Sequence, residues 1–164
     1  MTTCLRLFLS LTVLGFFLSG ATASAQLMEK KGLTLEAAKK LAAAAEEEAV
    51  KNKWMEVIVI VDDGGSLSYL QRLDDTQIGS IEVAIQKAKT AVRFKRPTKA
   101  LEDAVAGGRN VVLSLPGALP IEGGLPIIVD GKVIGGIGVS GVTAAQDGQI
   151  AKAGVDALPK LLGR

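Results

Sequence analysis

The segment Gly123-Gly124-Leu125-Pro126-Ile127-Ile128-Val129-Asp130-Gly131-Lys132-Val133-Ile134-Gly135-Gly136-Ile137-Gly138-Val139-Ser140-Gly141 decides the fold of this chain. Two apolar arms flank Asp130-Gly131, a dipeptide whose residues both tolerate positive φ, so the segment predicts a β-hairpin closed by a two-residue type I′ turn. The second arm carries glycines at 135, 136, 138 and 141. Bare backbone at that density weakens a strand unless something must approach it closely. The arm is therefore either a binding surface or the seat of a tightly packed helix.

Working outward, Val57 to Val61 is an unbroken apolar, mostly β-branched run that suits a strand buried on both faces and placed centrally in a sheet. Asp62-Asp63-Gly64-Gly65 turns the chain, and Ser66 to Leu73 returns with partial alternation that puts Leu67, Tyr69 and Leu73 on one face. Upstream, Thr34 to about Asn52 reads as a helix capped by Thr34, with Leu35, Ala38, Ala42, Ala45 and Ala49 on one stripe. Glu46-Glu47-Glu48 on that helix reads as a solvated face rather than a cation site, because adjacent helical residues point in different directions.

Ile78, Ile81, Ile85, Ala88 and Val92 recur at helical spacing and predict a second helix from about Gln77 to Phe94, lying on the sheet through that stripe. Pro97 closes it, and Thr98 is expected to cap a short third helix through about Val105, before Gly107-Gly108. Val111 to Leu115 is expected as a further strand. Pro116 to Gly124 is dense in turn formers and reads as a loop at the mouth of the hairpin. Thr143-Ala144-Ala145-Gln146 fits a capping box that opens a last helix running toward Leu161. The order yields an α/β (α+β) fold, an antiparallel β-sheet of about five strands with helices packed on it.

Composition bounds the chemistry. Arg6, the apolar run Leu7 to Leu18 and Ala23-Ser24-Ala25 read as a secretory signal peptide over residues 1–25, and a run that short does not make a permanent span. Cleavage before Gln26 would leave residues 26–164 as a single domain of 139 residues that is secreted or periplasmic and has no stable membrane span. It would carry 18 basic against 17 acidic residues, a balance that argues against nucleic acid as a partner. Cys4 would leave with the signal, and the sequence has no histidine. That excludes disulfides, thiolate and imidazole metal sites, His-dependent nucleophiles and the usual proximal ligand of haem.

No catalytic residue emerges. Gly135-Gly136-Ile137-Gly138 has the outline of a phosphate-cradling loop but lies inside a hairpin arm rather than between a strand and a helix. The stretch around Ser140 lacks both the spacing and the base of a nucleophile elbow. The better candidate is a cleft between the second helix and the hairpin, lined by Lys87, Thr90 and Phe94 on one side and Gly123 and Gly124 on the other, with Arg96 and Thr98 closing it. Cationic groups beside free backbone amides suit carboxylates. Thr98 and Thr143 also read as helix caps, and Lys87 and Arg96 as solvated charges.

The hairpin segment followed by Gln146-Asp147 resembles the C-terminal signature of the GlcG/HbpS-like family, described as haem-degrading or haem-binding. Val59-Ile60-Val61-Asp62-Asp63-Gly64-Gly65-Ser66-Leu67 resembles its early hairpin. Gly79-Ser80-Ile81 with Ala84 and Lys87-Ala88-Lys89-Thr90-Ala91 resembles its central helix, and Phe94 with Arg96-Pro97-Thr98 the element after it. The likeness runs from about Leu33 to Leu161. It implies a profilin-like fold, a homo-oligomer, haem as cofactor, a sensor protein as partner, and Asp147 as a ligand-contacting residue. Without histidine, the axial donor to haem would be Tyr69, a Met, a Lys, a hydroxyl, a carboxylate, or none from the protein. Relatives encoded with glycolate and diol metabolism imply an alternative, a small organic acid as ligand. Haem-dependent degradation stays open, because bound haem supplies its own redox chemistry.

Overall fold

The computed structural model describes residues 28–163, so the segment read as a signal peptide lies outside the described residues. Ten elements follow in order: α1 (Leu35–Asn52), β1 (Val57–Asp62), β2 (Leu67–Arg72), α2 (Ser80–Phe94), α3 (Thr98–Ala106), a 3₁₀ helix (Asn110–Ser114), β3 (Gly124–Val129), β4 (Lys132–Ser140), α4 (Ala144–Asp156) and α5 (Leu158–Leu161). The strands form one antiparallel sheet in the order β2-β1-β4-β3. The expected turn closes β3 onto β4, with Asp130 at φ 50° and Gly131 at φ 74°.

The sheet is buried on both faces because its inner strand β1 is apolar at every position from Val57 to Val61. In β1, Ile58 and Ile60 point into a core with α1 and α4, whereas Val57, Val59 and Val61 point into a second core under α2. In β4, Ile137 and Val139 join the α1/α4 side. Gly136 and Gly138 turn toward α2, where a Cβ would fall 2.9 Å from Ala88 O and 2.0 Å from Ala84 O respectively. Gly124, opposite Gly138 on β3, would meet Lys87 O at 2.4 Å. The bare arm is thus the seat of a helix, and the α2 backbone fills the space where an open cleft was expected.

That close seating also rotates α2 relative to the predicted stripe. Ala84, Ala88 and Ala91 are fully buried, while Ile81 and Ile85 are half-buried and Ile78, ahead of the helix, is 74% exposed. Small side chains win the inner face because only they let two backbones touch. Strand β2 differs too. A bulge pairs Val61 with Leu67 and skips Ser68, so Tyr69 and Leu73 pack on the α1 side as expected but Leu67 is exposed.

The sheet has four strands among the described residues rather than about five. Asn110–Ser114 winds as a 3₁₀ helix, with Val112 N on Arg109 O, Leu115 N on Val112 O and Ser114 Oγ on Val111 O. Val111 and Leu113 are exposed, and local bonds rather than a sheet ladder take up the backbone of the segment. Thr34 and Thr143 cap α1 and α4 as expected, the latter in a full capping box with Gln146. The last helix stops at Asp156, and a separate short turn carries Pro159.

Candidate functional site

Six of the eight candidate residues are buried, and they meet around the start of β3. Lys87, on the inner face of α2 and 1% exposed, donates from Nζ to Asp147 Oδ2 at 2.5 Å and to Val139 O at 3.0 Å. Asp147, in the first turn of α4, accepts Val142 N on its other oxygen at 3.2 Å. Gly123, at φ +122°, fits over this pair, since a Cβ there would fall 2.8 Å from Lys87 Nζ and 2.9 Å from Asp147 Cβ. Val139 N in turn donates to Gly123 O.

Thr98 is not a cap. Pro97 takes that position, and the fully buried Thr98 hydroxyl accepts Gly124 N at 2.9 Å, because the first turn of α3 faces the opening of β3. Thr90, also fully buried, accepts Leu119 N at 2.9 Å and pins the Pro116–Gly124 loop to α2. Phe94 is half-buried at the last position of α2, and Arg96 is exposed with Nε on Phe94 O. The structure therefore brings Lys87, Asp147, Thr98, Gly123 and Gly124 together, with Thr90 one turn further along α2, and leaves Arg96 outside.

Sequence reasoning missed Glu56. It sits immediately before β1, is fully buried, and neither carboxylate oxygen has a hydrogen-bond partner. Burial pushes its carboxyl from 4.5 up to about 8; the Asp147 carboxylate adds to the rise and Lys87 opposes it. Nothing local in Trp54-Met55-Glu56-Val57 distinguishes this glutamate from one at the wet end of a strand.

Two clefts open to solvent near these elements. The first, about 300 Å³, lies on the outer side of Gly123 and Gly124 and is lined as well by Lys99, Glu122, Leu125, Gly148 and Lys152. Lys99 and Lys152 are each engaged with an aspartate one turn on, Asp103 and Asp156. Removal from water raises the Glu122 pKa, with Lys99 opposing and Glu102 adding to the rise. The second cleft, about 450 Å³, sits beside the β3–β4 hairpin, with Val92, Ile128, Val133 and Ile134 as apolar lining and Met28, Lys30, Lys31, Lys95 and Lys132 around it. Lys30 is paired with Asp63 and Lys31 with Asp130, whereas Lys95 and Lys132 have no carboxylate partner among the described residues.

Among the described residues no group of three or more His, Cys, Asp or Glu side chains could hold a metal ion, and no helix is long and apolar enough to cross a membrane. Tyr69 Oη donates to Gln71 Oε1 at 3.1 Å on β2. It lines neither cleft.

A family model described as haem degrading protein HbpS-like matches residues 33–156. Protein GlcG of Escherichia coli K12 is 43% identical over 108 residues, which cover 66% of this chain and 81% of GlcG. A crystal structure of a double mutant of Streptomyces reticuli HbpS superposes with a TM-score of 0.75 at 35% identity, covering 84% of this chain and 94% of that one. A crystal structure of a PduOC–haem complex superposes at 0.70 with 32% identity, covering 77% of this chain and 95% of that one.

Proposed function

Because this chain belongs to the haem degrading protein HbpS-like family, we propose that it is a secreted or periplasmic haem-binding protein that holds the tetrapyrrole at the hairpin-side cleft. The observation that carries the reading is the composition of that cleft. A haem needs an apolar surface for its macrocycle, cations for two propionates and a donor for its iron. Val92, Ile128, Val133 and Ile134 offer the first, and the unpaired Lys95 and Lys132 the second. The donor set is poor, since the sequence has no histidine and its one cysteine is Cys4, which leaves the Met28 thioether, a lysine amine or the carboxylate of Glu29 or Asp63 in the lining. Such a site favours exposed, weakly ligated haem over a globin-like pocket.

Bound haem would supply the iron centre for its own breakdown, with the oxidant and electrons coming from outside the protein. The part of this chain is to bind the ring, neutralise the propionates and leave an edge open to solvent. A homo-oligomer and a sensor-protein partner belong to the same reading, supported by the exposed Val111, Leu113 and Ile121. Light scattering tests the first of these, and N-terminal sequencing of exported material tests cleavage before Gln26. The experiment that decides the central point is titration of haemin into tag-free protein, because a histidine tag would add the ligand the chain lacks. A saturable shift of the Soret band is expected; an unshifted spectrum at equimolar haemin overturns the reading.

The alternative, a small organic acid, has one observation in its favour. The cleft over Gly123 and Gly124 is smaller, glycine-floored and flanked by Lys99 and Lys152, and Lys87, Thr98 and Asp147 would act there by fixing the two glycines, with Thr90 holding the adjoining loop and Phe94 and Arg96 at the far end of α2. A hydroxy or keto acid bound only by the native state would raise its melting temperature. No rise at millimolar acid removes this alternative.

A further inference from the structure

The least expected feature of the molecule is a fully buried glutamate with nothing to bond to. Glu56 has no exposed surface and no donor on either carboxylate oxygen. Its backbone is fixed, because its carbonyl accepts Leu73 N at 2.9 Å and Thr76 Oγ1 at 3.2 Å. Its carboxylate lies against Gly141, where an added Cβ would fall 2.5 Å from Glu56 Oε2. Among the described residues, the charged groups acting on it are Asp147 at the start of α4 and Lys87 on α2.

The charge count of that enclosure is the argument. Lys87 and Asp147 already neutralise each other at 2.5 Å. Both Asp147 oxygens accept bonds, from Lys87 and from Val142 N. An ionised Glu56 would add an uncompensated buried charge beside a second carboxylate, with no hydrogen bond to either of its oxygens. A protonated Glu56 has one donor to place, and the Asp147 carboxylate is the anionic acceptor acting on it, although the two are not hydrogen-bonded in the structure. We propose that Glu56 is carried as a neutral carboxylic acid near pH 7, donating toward Asp147, and that this proton is a pH-operated latch on the junction of β1, α2 and α4.

When the proton leaves to solvent base, the new carboxylate competes with Asp147 for Lys87. Lys87 also bonds Val139 O beneath Gly123, so the floor of the glycine cleft is tied to the same proton. The proposal does not depend on which ligand the protein binds. The sign follows from linkage. The folded state keeps a proton that the unfolded chain releases near the ordinary value of 4.5, so this stability is fully present below 4.5 and is lost as pH rises to about 8.

Equilibrium unfolding of the full chain and of Glu56→Gln, across about pH 5 to 9, tests it. The ratio of the wild-type unfolding constant to that of the variant should rise about tenfold per pH unit up to about pH 8 and then level off. Parallel profiles overturn the proposal. If Glu56→Gln does not fold, carboxyl carbon NMR of wild-type protein labelled at glutamate decides the matter. One resonance titrating near pH 8, accompanied by a shift of the Val142 amide that reports on Asp147, supports the latch. Ionisation of every glutamate in the ordinary range of about 4 to 5 overturns it.

Discussion

Replacement of Gly138 by alanine separates the two uses a bare strand can have. The added Cβ would lie 2.0 Å from Ala84 O, 2.6 Å from Ala88 N and 2.9 Å from Ala88 Cβ, where ordinary contact begins at 3.4 Å. The two nearest are backbone atoms of α2, and none of the three can swing aside. The helix must therefore lift by roughly 1 Å, and a gap of that size forfeits about a quarter to a half of each dispersion contact it opens. The loss reaches the whole layer formed by Val57, Val59, Val61, Ala84, Ala88 and Val92. Overpacking a well-filled core costs about 1 to 3 kcal/mol, and the backbone clash places Gly138→Ala at about 3 kcal/mol. At about 2 to 8 °C per kcal/mol for domains spanning this size, melting should fall by about 6 to 24 °C. The matched control is Gly79→Ala, where a Cβ meets nothing within 4 Å, and whose effect should stay within about 0.5 kcal/mol. Thermal and urea unfolding read both variants. A Gly138→Ala melting temperature equal to that of Gly79→Ala would refute the account of the glycine arm as a helix seat.

The other predictions concern charges. Asp147→Asn leaves Lys87 buried without its counter-ion and should cost about 3 to 5 kcal/mol near neutral pH. The same variant should shift the Glu56 transition below about 8, because the like charge that raises it is gone and Lys87 remains to lower it; an unmoved transition measured by carboxyl NMR would break the proposed coupling. Lys95→Glu combined with Lys132→Glu reverses two exposed cations of the hairpin-side cleft. Haemin affinity should drop at least about tenfold and unfolding stay within about 0.5 kcal/mol per site, whereas unchanged affinity would remove the lysines from the site.

Much of the scaffold was legible because its signals are local. Asp130-Gly131 demands the positive φ that a tight hairpin supplies. Thr34 and the Thr143/Gln146 pair satisfy amides within their own first turns. Val57 to Val61 is apolar at every position and can only lie between two layers. Local signals failed where a segment needed a distant partner to choose its state. Val111 to Leu115 has strand propensity but joins neither outer strand and closes its bonds locally, and the Leu67 to Leu73 alternation is broken by a bulge against β1.

The sequence by itself determined that residues 135 to 141 must be approached closely, since no other reason makes a strand keep so many glycines. Only the tertiary structure decided what approaches. The α2 backbone settles on Gly124, Gly136 and Gly138, which turns Ala84 and Ala88 inward in place of larger side chains and carries Lys87 with them. A lysine or glutamate reads as solvated in any local window, because a charge is buried only when its counter-ion is buried with it. For Lys87 that counter-ion is Asp147, 60 residues away, and for Glu56 it is a proton, which no residue in the sequence spells out.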